Sequence, residues 1–403
     1  MGGCRLCRSP QLRFVADFGK LAVTNQFITP GGPAPFRQPI SWQECRSCGA
    51  VQLVEAPPLS QIRPRFPWLT YQEPEAHLDL TAQDLRQVAP AKPGQRVFGL
   101  GQDDWPLLKR LDTAVTQVLD PREDLGITDE QYGIETIQAS WTIAAARQAA
   151  ARYRRAEIFV ARYVLEHAHD GAAFLAACRE FLAPGGILLI EVPDSAQAFR
   201  DLDVTTVWEE HLLYLTEQSL QLGMAAGGFE LRHFRRVPDR MEDRLVWIGQ
   251  AGQSPPQPPL ITFRAGVPDL DIPNPDVARF SRDWPQRRSA IQTWAKSLAA
   301  QGERLAVFGA GHRACTLIDA TGIAEFVDCV IDDSAEKQKF QFPAGGLPIC
   351  GSAALVDRQI RCCLLAVSPT VEDRIVARNA EFVASGGTFV SCYPGSHRAL
   401  RWS

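Results

Sequence analysis

The chain has 403 residues, enough for two or three domains with cores of their own, and its 45% hydrophobic and 22% charged content is that of an ordinary soluble globular protein. A net charge of −4 gives no electrostatic case for nucleic acid or an anionic membrane as partner, and no apolar run approaches the roughly 20 residues of a membrane span. Eleven cysteines without a basic, apolar leader point to a reducing cytoplasm.

Four of those cysteines form two pairs, Cys4-x-x-Cys7 and Cys45-x-x-Cys48. Two thiolates three positions apart reach one tetrahedral ion from a tight turn, and two such pairs close a structural Cys4 zinc site with no ligand position left for water. The alternative is four unrelated reduced thiols. Residues 1–75 are therefore read as a small zinc-binding module, appended rather than chemical, that ends in the aromatic connector Arg65-Phe-Pro-Trp-Leu-Thr-Tyr71. Cys178, Cys315, Cys329, Cys350, Cys362, Cys363 and Cys392 lie mostly in apolar stretches and read as buried free thiols.

A polar helix is predicted from about His77 to Val88, and from Gln95 onward strands and helices alternate. The predicted strands are Arg96–Leu100, Ala114–Leu119, Ile158–Ala161 and Ile187–Val192. Helices begin at Trp105 and cover Ile143–Tyr153 and Ala172–Leu182. This is an α/β unit over residues 76–252, built on a parallel sheet. Prolines from Pro255 to Pro275 mark a stiff linker over 253–285. After a helix from about Arg287 to Ala300, a second, Rossmann-like α/β unit fills 286–403, with strands at Arg304–Phe308, Val327–Ile331, Cys362–Val367 and Thr388–Ser391.

Gly99-Leu-Gly101 follows the first strand, where a glycine turn lets a ligand approach the backbone. Asp120 ends the second strand, placed to accept from ribose hydroxyls or, more simply, to cap the turn at Pro121. Val164-Leu-Glu-His167 sits at the carboxyl end of a later strand, and Trp208-Glu-Glu-His211 sets a histidine beside acids. A histidine next to a carboxylate can move protons near neutral pH; a hydrogen-bonded structural histidine is the competing reading. In the second unit Gly309-Ala-Gly311-His-Arg-Ala314, with Asp332 about 20 residues on, matches a dinucleotide fingerprint. Phosphate contact helped by His312 and Arg313, an NAD site and an inert scaffold are its three readings.

The order of these motifs resembles the three-part C-methyltransferases that act on nucleotide-linked keto-sugars in antibiotic biosynthesis: zinc module, class I methyltransferase-like Rossmann domain, second Rossmann-like domain. The resemblance spans nearly the whole chain and runs through Gly99-Leu-Gly-Gln-Asp-Asp104, Val164-Leu-Glu-His-Ala-His169, Leu182-Ala-Pro-Gly-Gly186, Glu210-His211-Leu-Leu-Tyr214 and the Gly309 loop. It implies S-adenosylmethionine held by Gly99, Gly101, Asp104 and Asp120. It further implies a small carbonyl substrate, nucleotide-sugars included, deprotonated beside its carbonyl. His211 stands where the family has its base, with Glu210 beside it and His167 across the crevice. A monomer or homodimer is expected.

Several positions depart from the family. Gly99 replaces an acid, Trp105 replaces a small glycine and is expected to fill space near the cofactor, and Trp68 and Trp208 stand where hydroxyl-bearing rings are expected. These departures leave a second reading open: a repurposed enzyme using His211, Glu210 and His167 for cofactor-independent cyclisation, isomerisation or dehydration. A non-catalytic binding subunit is a third.

Overall fold

The computed structural model describes residues 2–69, 75–111, 115–252 and 274–400. The prolines of 253–273, the end of the connector at Thr70 and Tyr71, and Ala114 lie outside them.

Three sheets organise the chain. The first is antiparallel: β1 (Leu12–Ala22), β2 (Arg37–Cys45) and β3 (Val51–Leu53), in that order. Its fourth strand comes from far along the chain, the two-residue β8 (Leu213–Tyr214), which pairs Tyr214 with Val51 and Leu213 with Gln52. The turn carrying Trp208–His211 is thereby tied to the zinc module.

The second sheet has the order β5–β4–β6–β7–β10–β9, with β4 (Arg96–Gly99), β5 (Val115–Val118), β6 (Ala156–Arg162) and β7 (Leu182–Pro193) parallel. The apolar residues of β4, β6 and β7 are buried on both faces, as a parallel sheet covered by helices requires, while the edge strand β5 leaves Val115 exposed. The expected all-parallel sheet is corrected at one edge. β10 (Arg244–Ala251) runs antiparallel to both β7 and β9 (Phe229–Val237), so the sheet is mixed. Helix Ile143–Tyr153 occupies its predicted span, started by the Thr142 hydroxyl accepting from the Ala145 amide.

The third sheet, β13–β12–β11–β14–β15, is wholly parallel: β11 (Arg304–Phe308), β12 (Val327–Ile331), β13 (Ile349–Cys350), β14 (Ile360–Leu365) and β15 (Thr388–Ser391). The helix before it starts at Pro275 rather than near Arg287, so residues 275–285 are helical and not linker. Asn274 caps that start through its side-chain oxygen on the Asp276 amide, and Pro275 sits at the first helical position, where no amide is needed. Pro285 is carried inside the helix because Val277, Phe280, Trp284, Ile291 and Ala295 form a buried stripe that outweighs one lost hydrogen bond.

That stripe packs on the zinc module. Phe280 lies 5.2 Å from Trp42 and Trp284 lies 5.6 Å from Phe18, ring to ring. One apolar core runs from Val15, Phe18 and Trp42 through Phe280 to Leu305, Ala314 and Leu317 of the third domain. The module is thus the joint between the two α/β units and not an appendage. Trp68 belongs to the same joint, packed with Phe27, Phe66 and Phe340, rather than to a reaction site. No described helix is long and apolar enough to cross a membrane.

Candidate functional site

The zinc knuckles come together as their spacing predicts. Cys4 and Cys7 lie on the turn before β1, Cys45 ends β2, and Cys48 lies in the turn to β3. The Sγ atoms of Cys4 and Cys48 are 3.7 Å apart and those of Cys7 and Cys45 are 3.6 Å apart. A tetrahedron with Zn–S near 2.3 Å has edges of about 3.8 Å, so four thiolates here fit one zinc ion. The Cys7 amide donates to Cys4 Sγ and the Ser47 amide to Cys45 Sγ, which would steady the thiolates.

The expected cofactor loop leaves β4 at Gly99. A Cβ at Gly99 would stand 2.6 Å from the Asp104 Cβ, so the empty side chain at 99 is what lets Asp104 fold back over the strand end. Asp104 Oδ2 accepts from the amides of Leu100 (2.8 Å) and Gly101 (3.0 Å), and Oδ1 accepts from the Arg162 amide (2.9 Å). Burial pushes this carboxyl up to about 7, against those hydrogen bonds, which favour its charge. An acid thus still braces the loop, supplied from five positions downstream of the place where the family's acid is expected. A Cβ at Gly101 would meet Ile137 Cδ1 at 3.6 Å, an ordinary contact, so the position is not crowded among the described residues.

Asp120 is exposed and its Oδ1 accepts from the Arg122 and Glu123 amides, the turn-capping role weighed against ribose contact. Trp105, at the first turn of the short helix Trp105–Leu108, is 36% exposed, with the Lys109 ammonium 5.6 Å from its ring centre.

Beside the loop lies a polar network that sequence reading missed. Arg162, at the end of β6, donates through Nε to Glu191 (2.6 Å) and through Nη1 to the Asp103 carbonyl (2.5 Å). Glu191 also accepts from the Tyr163 hydroxyl (2.7 Å) and pairs with His77 Nε2 (2.6 Å). Burial opposes the Glu191 charge, yet His77 and Arg162 together hold the carboxyl down to about 2. The signal was present in the sequence as a lone arginine closing the apolar run Ile158–Ala161.

His167 and His211 meet, with Glu166 beside them, whereas the Glu210 carboxyl lies against Asn25. The two imidazoles stand edge to face with centroids 4.7 Å apart, and a Glu166 oxygen and one nitrogen of each ring lie within 4.8 Å of one another. The Leu212 amide donates to the Glu166 carbonyl, holding the two segments together. His167 is buried and pushed down to about 3 by burial, against the nearby Glu210 backbone carbonyl, which favours the proton. Its Nδ1 is buried with no hydrogen-bond partner among the described residues. His211 keeps part of its surface accessible, and its imidazole is pushed well below the ordinary value by desolvation and by His167, His312 and Arg313. Burial, then Glu209 and Glu135, pushes the Glu210 carboxyl well up.

The surroundings come from all three domains. Thr24 of the zinc module donates through amide and hydroxyl to Glu209, and Asn25 reaches Glu210 at 3.4 Å. From the third domain His312 stacks on Trp208 at 4.7 Å, and Trp208 lies 4.8 Å from His211. The Gly309 fingerprint is otherwise engaged. Asp332 accepts from the Ala310 amide and from Lys337, while Arg313 is buried against Thr205, Asp203, Glu242 and the Tyr393 ring. The loop is braced internally and its arginine locks the third domain to the second.

Three family models match in chain order: a zinc binding domain over residues 4–62, a methyltransferase domain over 68–233 and a C-methyltransferase C-terminal domain over 270–394. The C-methyltransferase NovU of Streptomyces niveus is 22% identical over 407 residues, covering 97% of this chain and 95% of that protein. Solved structures include the magnesium protoporphyrin IX methyltransferase of Synechocystis PCC 6803 with bound SAH, 11% identical over 44% of this chain and 83% of that one, at a TM-score of 0.29. The N-methyltransferase NodS of Bradyrhizobium japonicum WM9 is 14% identical over 46% and 91%, also at 0.29. Likeness at such scores carries no functional weight. The groups that go with these domains are a structural zinc, which the cysteine tetrahedron fits, and S-adenosylmethionine, for which the uncrowded Gly101 position and the polar loop are the receiving features. With its zinc-binding, methyltransferase and C-terminal domains in this order, the chain is a methyltransferase of the three-domain C-methyltransferase family.

Proposed function

We propose that this chain methylates a carbon next to a carbonyl, and that His211, His167 and Glu210 handle the proton. S-adenosylmethionine, when bound, supplies the methyl electrophile. The chain's own residues must then make a carbon nucleophile, orient it and exclude water. The observation that carries the reading is the pair of facing imidazoles, both held neutral by burial. Nδ1 of His167, buried with no hydrogen-bond partner among the described residues, is the nitrogen assigned to accept the proton. One imidazole takes the α-proton while the other, or the protonated Glu210, donates to the enolate oxygen. Glu209 is spent on Thr24 and takes no part. A nucleotide-linked keto-sugar of secondary metabolism is the substrate class that the family resemblance favours.

The test is proton exchange in deuterium oxide with nucleotide-linked 4-keto-sugars, followed by NMR with and without S-adenosylmethionine. The proposal expects deuterium, or the new methyl, at the carbon beside the carbonyl, and loss of both in His211→Ala. Methyl transfer that survives His211→Ala and His167→Ala would contradict it.

A second reading keeps the proton-moving group and drops the methyl donor. It is favoured by Gly99 and Trp105, the two departures in the cofactor loop. Turnover in the absence of S-adenosylmethionine, with the methyl count of the product unchanged, separates it from the first.

A further inference from the structure

Arg162 is held as few surface arginines are. It is 1% exposed, its backbone amide is bound by Asp104, its Nε by Glu191 and its Nη1 by the carbonyl of Asp103 in the glycine loop. Its remaining nitrogen, Nη2, is buried and has no acceptor among the described residues. A guanidinium donor buried without an acceptor is costly, and folded proteins seldom leave one so unless a water or a ligand completes it. Its one direct carboxylate partner among the described residues, Glu191, is shared with His77 and Tyr163, and the guanidinium also lies 5.2 Å from the Tyr163 ring centre. Along the same loop Gly101 is uncrowded, a Cβ there meeting only Ile137 Cδ1, at 3.6 Å, among the described residues. A cationic fork with one unfilled donor, beside a backbone that a ligand can approach, is a carboxylate receptor.

We propose that Arg162 anchors the carboxylate at the amino-acid end of S-adenosylmethionine through Nη2, with Glu191 and His77 as the residues that position it. The inference rests on the methyl-donor reading above and deepens it. Nothing in the motif spacing marks this residue; the assignment comes from the orphaned nitrogen and its contact with the loop. Because Glu191 and the Asp103 carbonyl already fix the guanidinium plane, the ligand meets a preorganised donor and gives up little affinity to ordering it.

The test is calorimetric titration of the zinc-loaded full chain with S-adenosylmethionine and with its decarboxylated analogue, which lacks only the carboxylate. A charge-assisted hydrogen bond in a buried site corresponds to about a 10- to 100-fold preference for the carboxylate-bearing ligand. In Arg162→Met that preference should fall to about twofold or less, with Arg162→Lys between, since an ammonium keeps the charge and loses the fork. Equal affinity of the unaltered protein for both ligands would overturn the anchor while leaving the methyl-donor reading intact, and would mean that Nη2 faces water only. Binding of neither ligand would overturn both. The comparison of two ligands on the unaltered protein stands even if Arg162→Met, which strands Glu191, fails to fold.

Discussion

The imidazoles of His167 and His211 stand edge to face with centroids 4.7 Å apart, and His167 Nδ1 is buried with no hydrogen-bond partner among the described residues. That ring contact brings the Val164–His167 turn up to the Trp208–His211 turn. The segments are more than 40 positions apart in sequence, and the carbonyl of Glu166 receiving the Leu212 amide secures the same meeting. Proton chemistry here depends on backbone placement as much as on the identity of the side chains.

The first prediction concerns pH and rate. Both imidazoles are pushed below the ordinary 6.5, His167 to about 3, so both are already neutral where a free histidine would be half protonated. Proton exchange at the substrate carbon should hold its rate as pH falls from 7 through 6, with the acidic limb well below 6.5. A limb centred at 6.5 in the kcat/KM profile would show an exposed, unperturbed base. His211→Asn should lower the exchange rate by about 10²- to 10⁴-fold, the usual contribution of a positioned general base.

Stability should respond to pH through Glu210. Its carboxyl is raised well above 4.5 in the fold, so the folded chain holds a proton that the unfolded chain releases. Its contribution is complete below about 4.5 and is lost as pH rises from there through the folded value. Glu210→Gln removes that titration while keeping an acceptor for Asn25. Denaturant unfolding at pH 5 and pH 8 should therefore show the variant gaining on the parent at the higher pH. A pH-independent difference would count against a protonated Glu210.

The loop brace makes a pairwise prediction. Gly99→Ala puts a Cβ 2.6 Å from that of Asp104 and should cost about 1–3 kcal/mol, in the range of an overpacked core. Asp104→Gly alone leaves the Leu100, Gly101 and Arg162 amides without their carboxylate. Combined, the two changes should cost less than the sum of the singles, because the clash needs both side chains. Strict additivity in a double-mutant cycle would mean the two residues do not compete for this space.

Zinc removal should reach the reaction site. The module supplies Thr24 and Asn25 to Glu209 and Glu210, and its strand β3 carries β8, the strand that follows His211. Chelation, or Cys45→Ser, should lower the melting temperature and abolish proton exchange together. Exchange that persists in metal-free protein would return the module to the appended role its sequence suggests.

Much of the scaffold was legible because apolar runs bounded by turn residues mark buried strands: Arg304–Phe308, Val327–Ile331 and Thr388–Ser391 lie where the pattern puts them. Phe229–Val237 escaped notice because an edge strand facing solvent carries arginines between its apolar residues, and Leu231 is exposed. The start of the long helix was hidden by Pro275 and Pro285, since the buried stripe that holds it against the module is a tertiary effect. In the site, the cysteine pairs and the two histidines could be named from spacing. Thr24, Asn25, His77, Arg162 and Glu191 could not, because their partners lie 29 to 185 positions away. The indoles show the same limit: composition gives a lost hydroxyl, but not that Trp68 packs in a domain joint or that Trp105 is about a third exposed.

The most direct measurement of the central claim is calorimetric titration of the zinc-loaded protein with S-adenosylhomocysteine, the demethylated product. Methyl transfer through this crevice predicts one site per chain with micromolar affinity, weakened in variants of the Gly101 loop. No detectable heat or thermal stabilisation at millimolar ligand would contradict it and leave the imidazole pair to work without a methyl donor.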